Sequence, residues 1–219
     1  MNLFRLSLTF LLLFCLSCEK QPEPGAPGQT EQSLDNANRD STDSPDSTEL
    51  HIQSIRNDYK AAMALPLKSY ERNCDDGALV TTVDVRWKDG KVVWIRYSAG
   101  YDHGVQSHEA LLSNEEIVFI MKEERTWNFD PEVPPSDSGE SHTVDQATQN
   151  RYYYMDGSMI RALYKSVTAR SIQKESLEEK LREAKNLEHP TPDAGEAIQK
   201  VRSILSSFES TGGKSAWCE

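Results

Sequence analysis

The chain has 219 residues, with 24 Lys and Arg against 35 Asp and Glu and a formal net charge of −11. This balance excludes nucleic acid as a partner, because phosphate backbones are held by surplus cationic charge. It also excludes charge-driven adhesion to an anionic lipid surface, so any membrane attachment must come from an apolar group.

At the N-terminus Met1, Asn2 and Arg5 precede or interrupt little before an apolar run from Leu6 to Leu16. The run suits a secretion signal and is shorter than the roughly 20 residues of a membrane span. It stops at Leu16-Ser17-Cys18, and Glu19-Lys20-Gln21-Pro22 is abruptly polar. A small residue followed by cysteine at this place resembles the lipobox of lipoprotein signal peptidase, with Cys15 standing where that motif usually carries Leu. No Ala precedes Ala26, so an A-x-A site for ordinary signal peptidase is lacking. The expected arrangement is a signal peptide over 1–17 and a lipidated, palmitate-bearing Cys18. Each buried CH₂ of such a lipid contributes about 0.8 kcal/mol to attachment. The domain would then lie in the bacterial cell envelope outside the cytoplasm, on the outer membrane in preference to the inner.

Residues 18–48 are Pro, Gly, Ser, Asp, Asn, Gln and Glu with almost nothing apolar. Such a segment buries too little to offset its ordering entropy and reads as a disordered tether. Residues 49–219 then form a single domain. Once Cys15 leaves with the leader and Cys18 is acylated, Cys74 and Cys218 remain as an even pair in an oxidising compartment, and a disulfide between them is expected. The loop closed is about 145 residues, for which chain entropy gives an upper figure of roughly 5 kcal/mol.

In chain order, Ile52, Ile55, Tyr59 and Met63 make a helical stripe over Leu50 to Leu65, stopped by Pro66. Three segments then share one pattern: Val85–Ile95, Ala110–Ile120 and Tyr152–Ala162. Each is an apolar run, a short turn at Asp89-Gly90, Asn114-Glu115 or Asp156-Gly157, and a second β-rich run. They predict three hairpins, an antiparallel meander of about six strands. In the first, a three-residue loop Lys88-Asp89-Gly90 would put Val85 opposite Val93 and Val83 opposite Ile95. Asp84 and Arg86 would then share the other face with Trp94, exposed there. The stretch from Thr126 to Asn150 reads as a long loop. A charged helix over Ser171 to Leu187 starts at a Ser176-x-x-Glu179 capping box, and a last helix runs from Thr191 to Ser210 with a wide apolar stripe. The fold class is α+β, with helices before and after the meander and covering one face of the sheet.

Little chemistry is legible. Gly212-Gly213-Lys214-Ser215 echoes a phosphate-binding loop but has Phe208 where the first Gly belongs, and no strand before it. Zinc-protease, paired C-x-x-C and nucleophile-elbow motifs are absent. One cluster remains, Asp102, His103, His108 and Glu109, which could ligate a metal if it converged. Consecutive strand positions point to opposite faces, which argues against His108 and Glu109 acting together. Tyr101, Trp127, Tyr152 and Tyr154 are the candidate binding residues, because exposed large amphipathic rings dominate interfaces.

Trp127-Asn128-Phe129-Asp130, Asn150-Arg151-Tyr152-Tyr153-Tyr154, Asp156-Gly157 and Ile160-Arg161 resemble uncharacterised bacterial envelope lipoproteins. Those carry a Trp-containing segment, a spacer and an Asn-Arg-Tyr-Tyr-Phe hairpin, and the likeness spans about Lys91 to Lys165. Tyr154 replaces the Phe here. The resemblance implies a lipoprotein with a small β-rich domain and implies no activity, so no catalytic residue is carried over. The leading reading is a non-catalytic binding module without cofactor, anchored to the membrane by its N-terminal lipid and contacting a protein or glycan. The alternative is a metal-assisted hydrolase built on Asp102, His103, His108 and Glu109.

Replacing Cys18 by Ala should abolish incorporation of a fatty-acid analogue in metabolic labelling, since only its thiol can take the lipid. Equal labelling of both proteins would refute the anchor.

Overall fold

A computed structural model of the chain describes residues 47–137, 139–190 and 194–218. The expected signal peptide and tether, with Cys18, lie outside them, except that Ser47 and Thr48 open the first helix. The elements in order are α1 (Ser47–Met63), β1 (Lys68–Cys74), β2 (Leu79–Lys88), β3 (Lys91–Tyr101), β4 (Gly104–Ser113), β5 (Glu116–Phe129), β6 (Thr143–Met155), β7 (Ser158–Arg170), α2 (Leu177–Glu183), β8 (Leu187–Glu188) and α3 (Ala194–Ser210). The strands make one antiparallel sheet in the order β1 to β8, a meander of eight strands and not about six. The six expected strands are β2 to β7. The additions are β1, an edge strand that Lys68, Glu71 and Arg72 make charged, and the two-residue β8.

The three expected hairpins share one geometry. Asp89-Gly90, Asn114-Glu115 and Asp156-Gly157 all have positive φ at both positions, the mirror-image turn that matches strand twist. Each loop has two residues: Lys88 pairs with Lys91, Ser113 with Glu116 and Met155 with Ser158. The three-residue loop expected at Gly90 is therefore corrected. The extra residue sits three places past the turn, as a bulge at Val93, Val118 and Ile160. Beyond the bulge Val85 faces Ile95 and Val83 faces Tyr97, while Arg86 and Asp84 face Trp94 and Arg96. The expected division between faces thus holds for Val83, Val85 and Ile95 against Asp84, Arg86 and Trp94, reached by a different register, while Val93, expected opposite Val85, packs on the α1 face.

Helices cover both faces, not one. On the first, Ala197, Val201, Ile204 and Phe208 of α3 pack on Val83, Val85, Ile95, Tyr97, Ile120, Tyr152 and Tyr154. Burying each of the larger side chains stabilises the fold by about 1.5–3 kcal/mol. On the second, Ile52, Ile55, Tyr59 and Met63 of α1 lie on Trp94, Phe119, Tyr153 and the three bulge residues. The charged helix expected over Ser171 to Leu187 is shorter. Ser176 caps α2 by accepting from Glu179 N–H at 3.3 Å, α2 ends at Glu183, and Leu187 has joined the sheet. The Gly-Gly-Lys-Ser echo is the stop of α3, where Gly213 N–H donates to Phe208 O at 3.1 Å. From there the C-terminus crosses the sheet. Trp217 stacks on Tyr97 with centroids 5.0 Å apart, and Thr81 Oγ1 donates to Trp217 O at 2.8 Å. Cys218 is bonded to Cys74, with 5.8 Å between their Cα atoms.

At Gly90 (φ +79°) Val should cost about 1–2 kcal/mol, because a β-branched residue is poorly tolerated at positive φ. Glu115 occupies the equivalent position with φ +69°, so Glu115→Gly should instead stabilise by about 1 kcal/mol. Urea denaturation measures both. Equal stability of the three proteins would mean that the turns differ from those described.

Candidate functional site

The end of the sheet away from the three tight turns carries the β3–β4 turn, Asp102-His103, and the ends of β5 and β6. These two strands stay paired to Phe129 and Thr143. The long loop expected over Thr126 to Asn150 is accordingly only 130–142. Its root is anchored by buried Asp130, which lies 3.3 Å from Arg170 Nη1, and by Asp130 N–H donating to His142 O at 2.8 Å.

Trp127 N–H donates to His103 O at 2.9 Å, tying the turn to β5. The His103 and Trp127 rings are 4.3 Å apart between centroids, and Phe129 meets Trp127 edge-on at 5.8 Å. Tyr101 lines a groove with Trp127. A Cβ on Gly104 would lie 2.8 Å from the Tyr101 ring and 2.4 Å from Arg125 O, so only glycine lets that ring fold back there. Phe129 is 60 % exposed and Tyr101 43 %, and Trp127 is half-buried. That groove, of about 450 Å³, is walled by Tyr101, Trp127, Arg125, Asp145 and Leu177. Arg125 is held by Glu123 at 2.6 Å and by Glu178 of α2, which keeps its guanidinium firmly charged. Phe129 and Arg125 were missed in the sequence. The signal was the alternation Arg125-x-Trp127-x-Phe129, which a strand puts on one face and a loop does not.

Other expected site residues disperse. Asp102 and His103 lie 3.3 Å apart at the exposed turn, a pair that contributes little in water. His108 and Glu109 are buried on opposite faces: His108 opposite Tyr97 beneath α3, Glu109 opposite Arg96 beneath α1. The four residues of the hydrolase alternative therefore do not converge. Among the described residues no group of three or more His, Cys, Asp or Glu is placed to hold a metal. Tyr152 and Tyr154 are buried, not part of an exposed patch, because α3 covers them, while Trp94 and Tyr153 lie under α1.

The buried pair carries opposite electrostatic consequences. Burial holds the Glu109 carboxyl up, although the Trp94 indole, the Tyr59 hydroxyl and Arg96 favour its charged form. Its Oε1 nonetheless has no hydrogen-bond partner. Burial, with Lys122 and Lys200 nearby, pushes His108 down to about 4. Its surroundings include Asn150, Tyr152, His189 and Glu196 around a cavity of about 170 Å³.

No protein family, no curated protein and no solved structure matches this chain.

His108 makes stability pH-dependent. Its folded value of about 4 lies below the ordinary 6.5, so the unfolded chain holds the extra proton between these limits. This contribution is fully present above pH about 6.5 and falls as pH drops towards about 4, by about 2–3 kcal/mol. Glu109 acts in the opposite sense, since a raised carboxyl stabilises at low pH and loses that contribution as pH rises. The comparison with His108→Asn separates the two. The stability difference between wild type and variant, measured by denaturant unfolding at pH 7 and pH 4, should shift by that amount. A difference constant with pH would acquit His108.

Proposed function

We propose that this chain is a bacterial envelope lipoprotein, held by lipid on Cys18 to a membrane (the outer in preference to the inner), whose domain binds another protein of the envelope and performs no catalysis. The observation that carries this reading is the contact of Trp127 with His103 and Phe129 at one solvent-facing end of the sheet, with Arg125 and exposed Tyr101 lining the groove beside Trp127. Such rings offer large contact area at small entropic cost, and Trp, Tyr and Arg dominate interface energetics.

The position of the group supports the same reading. Glu49 of α1 pairs with Arg161 and His51 Nε2 lies 3.3 Å from Tyr154 O, so the chain enters the domain beside the β6–β7 turn. The aromatic group lies at the other end of the same strands, and the eight steps from Tyr153 to Asp145 span about 25 Å. The aromatic group and the first turn of α1 thus lie at opposite ends of these strands. Among the described residues no helix is long and apolar enough to cross a membrane. The hydrolase alternative loses its support with the separation of His108 from Glu109.

The test is affinity capture from envelope extract with the wild-type chain and with the triple variant Tyr101→Ser, Trp127→Ser, Phe129→Ser. The variant should keep its cooperative thermal transition and lose the captured partner at least tenfold, since one hot-spot residue contributes about 2 kcal/mol or more. Undiminished capture by a folded variant would refute the reading. Capture abolished by glycosidase but not by protease would make the partner a glycan.

A further inference from the structure

The face of the sheet under α1 and α2 buries several charged side chains beside its apolar cluster. Two rows cross it: Arg96, Glu109, Met121 and Arg151, then Ser107, Glu123, Gln149 and Lys165. Burying charges is costly unless each finds a partner. In the second row each does. Glu123 is bound by Arg125 at 2.6 Å and by Gln149 Nε2, and Lys165 Nζ donates to Leu181 O.

The first row is less complete: Arg96 Nε, Glu109 Oε1 and Arg151 Nε are each buried without a hydrogen-bond partner, and of these residues Arg151 lines a cavity. The Arg151 guanidinium donates to the neutral Gln149 Oε1 at 3.0 Å, its Nε is buried without an acceptor, and among the described residues no carboxylate lies within 4.0 Å of it. The same guanidinium lines a cavity of about 320 Å³ between α1 and strands β5 and β6. The walls are apolar: Ile55 from the helix, Phe119 and Met121 from β5, Tyr153 from β6. Across from Arg151 the helix contributes Arg56, a second guanidinium that forms no ion pair with any described residue. In a chain of net charge −11, Arg151 and the exposed Arg56, neither paired with a carboxylate among the described residues, thus line one largely apolar hollow that Tyr59 and Gln149 complete. A cationic ligand would be repelled there, and a neutral one would leave Arg151 as it is. A carboxylate supplies the missing acceptor, in the planar geometry that guanidinium prefers.

From this arrangement we infer that the cavity binds a small organic carboxylate, its apolar body against Ile55, Phe119, Met121 and Tyr153 and its carboxylate on Arg151, with Arg56 closing from the helix side. The volume stands at the lower end for small-molecule sites, which fits a compact acid. This site is separate from the aromatic end, and either can fail without the other.

The experiment is isothermal titration calorimetry of the full chain in mild detergent, with detergent-only blanks, using 4-phenylbutyrate and octanoate as probes and 4-phenylbutan-1-ol as the uncharged control. At least one acid should bind, at least tenfold tighter than the alcohol. Arg151→Gln should weaken that acid at least tenfold, Arg151→Lys should restore part of the loss, and Arg56→Gln should weaken it less than Arg151→Gln. Thermal unfolding verifies that each variant folds. Neither acid binding at millimolar concentration, equal binding of acid and alcohol, or full affinity in a folded Arg151→Gln protein would each overturn the proposal.

Discussion

Two adjacent residues at positive φ impose a constraint on which the rest of this domain depends. A two-residue turn brings the flanking strands together in a register that the apolar pattern does not want: in the first hairpin it would set Arg86 against Val93 and Asp84 against Ile95. One inserted residue removes the conflict. With Val93 bulged out, Arg86 meets Trp94 and Val85 meets Ile95, and the apolar set returns to a single face. The same correction recurs at Val118 and Ile160, at the same distance from the turn. It even survives the loss of glycine at Glu115, where the backbone stays left-handed at a steric cost.

The bulges also prepare the seat of α1. All three inserted residues are β-branched, and all three lie against Ile52, Ile55, Tyr59 and Met63. A strand feature that first solves a register problem thus supplies the surface on which the entering helix rests. Bulges increase local twist, and a twisted sheet offers a helix a fitted surface where a flat one would not. On the opposite face the final residues complete the domain: Trp217 stacks on Tyr97 and Cys218 is joined to Cys74 at the end of β1. The disulfide closes nearly the whole domain into one loop, and its entropic contribution grows with the 144 residues spanned.

The two faces follow different economies. Under α3 the contacts are apolar and aromatic, and they contribute stability directly. Under α1 and α2 the sheet buries Glu109, Glu123 and Lys165, groups that cost free energy unless paired. The α3 face buries His108 as well, but the buried charges gather under α1 and α2, and departures of this kind concentrate where a protein does something besides fold. The unpartnered oxygen of Glu109 and the unpartnered nitrogen of Arg151 both belong to that face.

The count of cysteines determined the pairing of Cys74 with Cys218, and local periodicity by itself determined the helices at α1 and α3, the three hairpins and the division of residues such as Val83, Asp84, Val85 and Arg86 between two faces. The latter group is local, written in spacings of two, three and four residues and in turn chemistry. What covers each face is not short-range. Alternation puts adjacent rings of Tyr152, Tyr153 and Tyr154 on opposite faces but does not say what covers either face; α3, some forty residues later, covers Tyr152 and Tyr154. Trp127 and Phe129 read as flanking a loop because β5 and β6 pair across a Pro-rich insertion that hides their alternation, and only the ladder from Phe119 to Phe129 restores it. The cavity beside Arg151 has no sequence signature, since its walls come from a helix and two strands that meet only in the folded chain. The alternation of a strand already separates His108 from Glu109 in the sequence, but their burial is decided only when α3 covers one face and α1 the other, because the covering residues are remote in the chain.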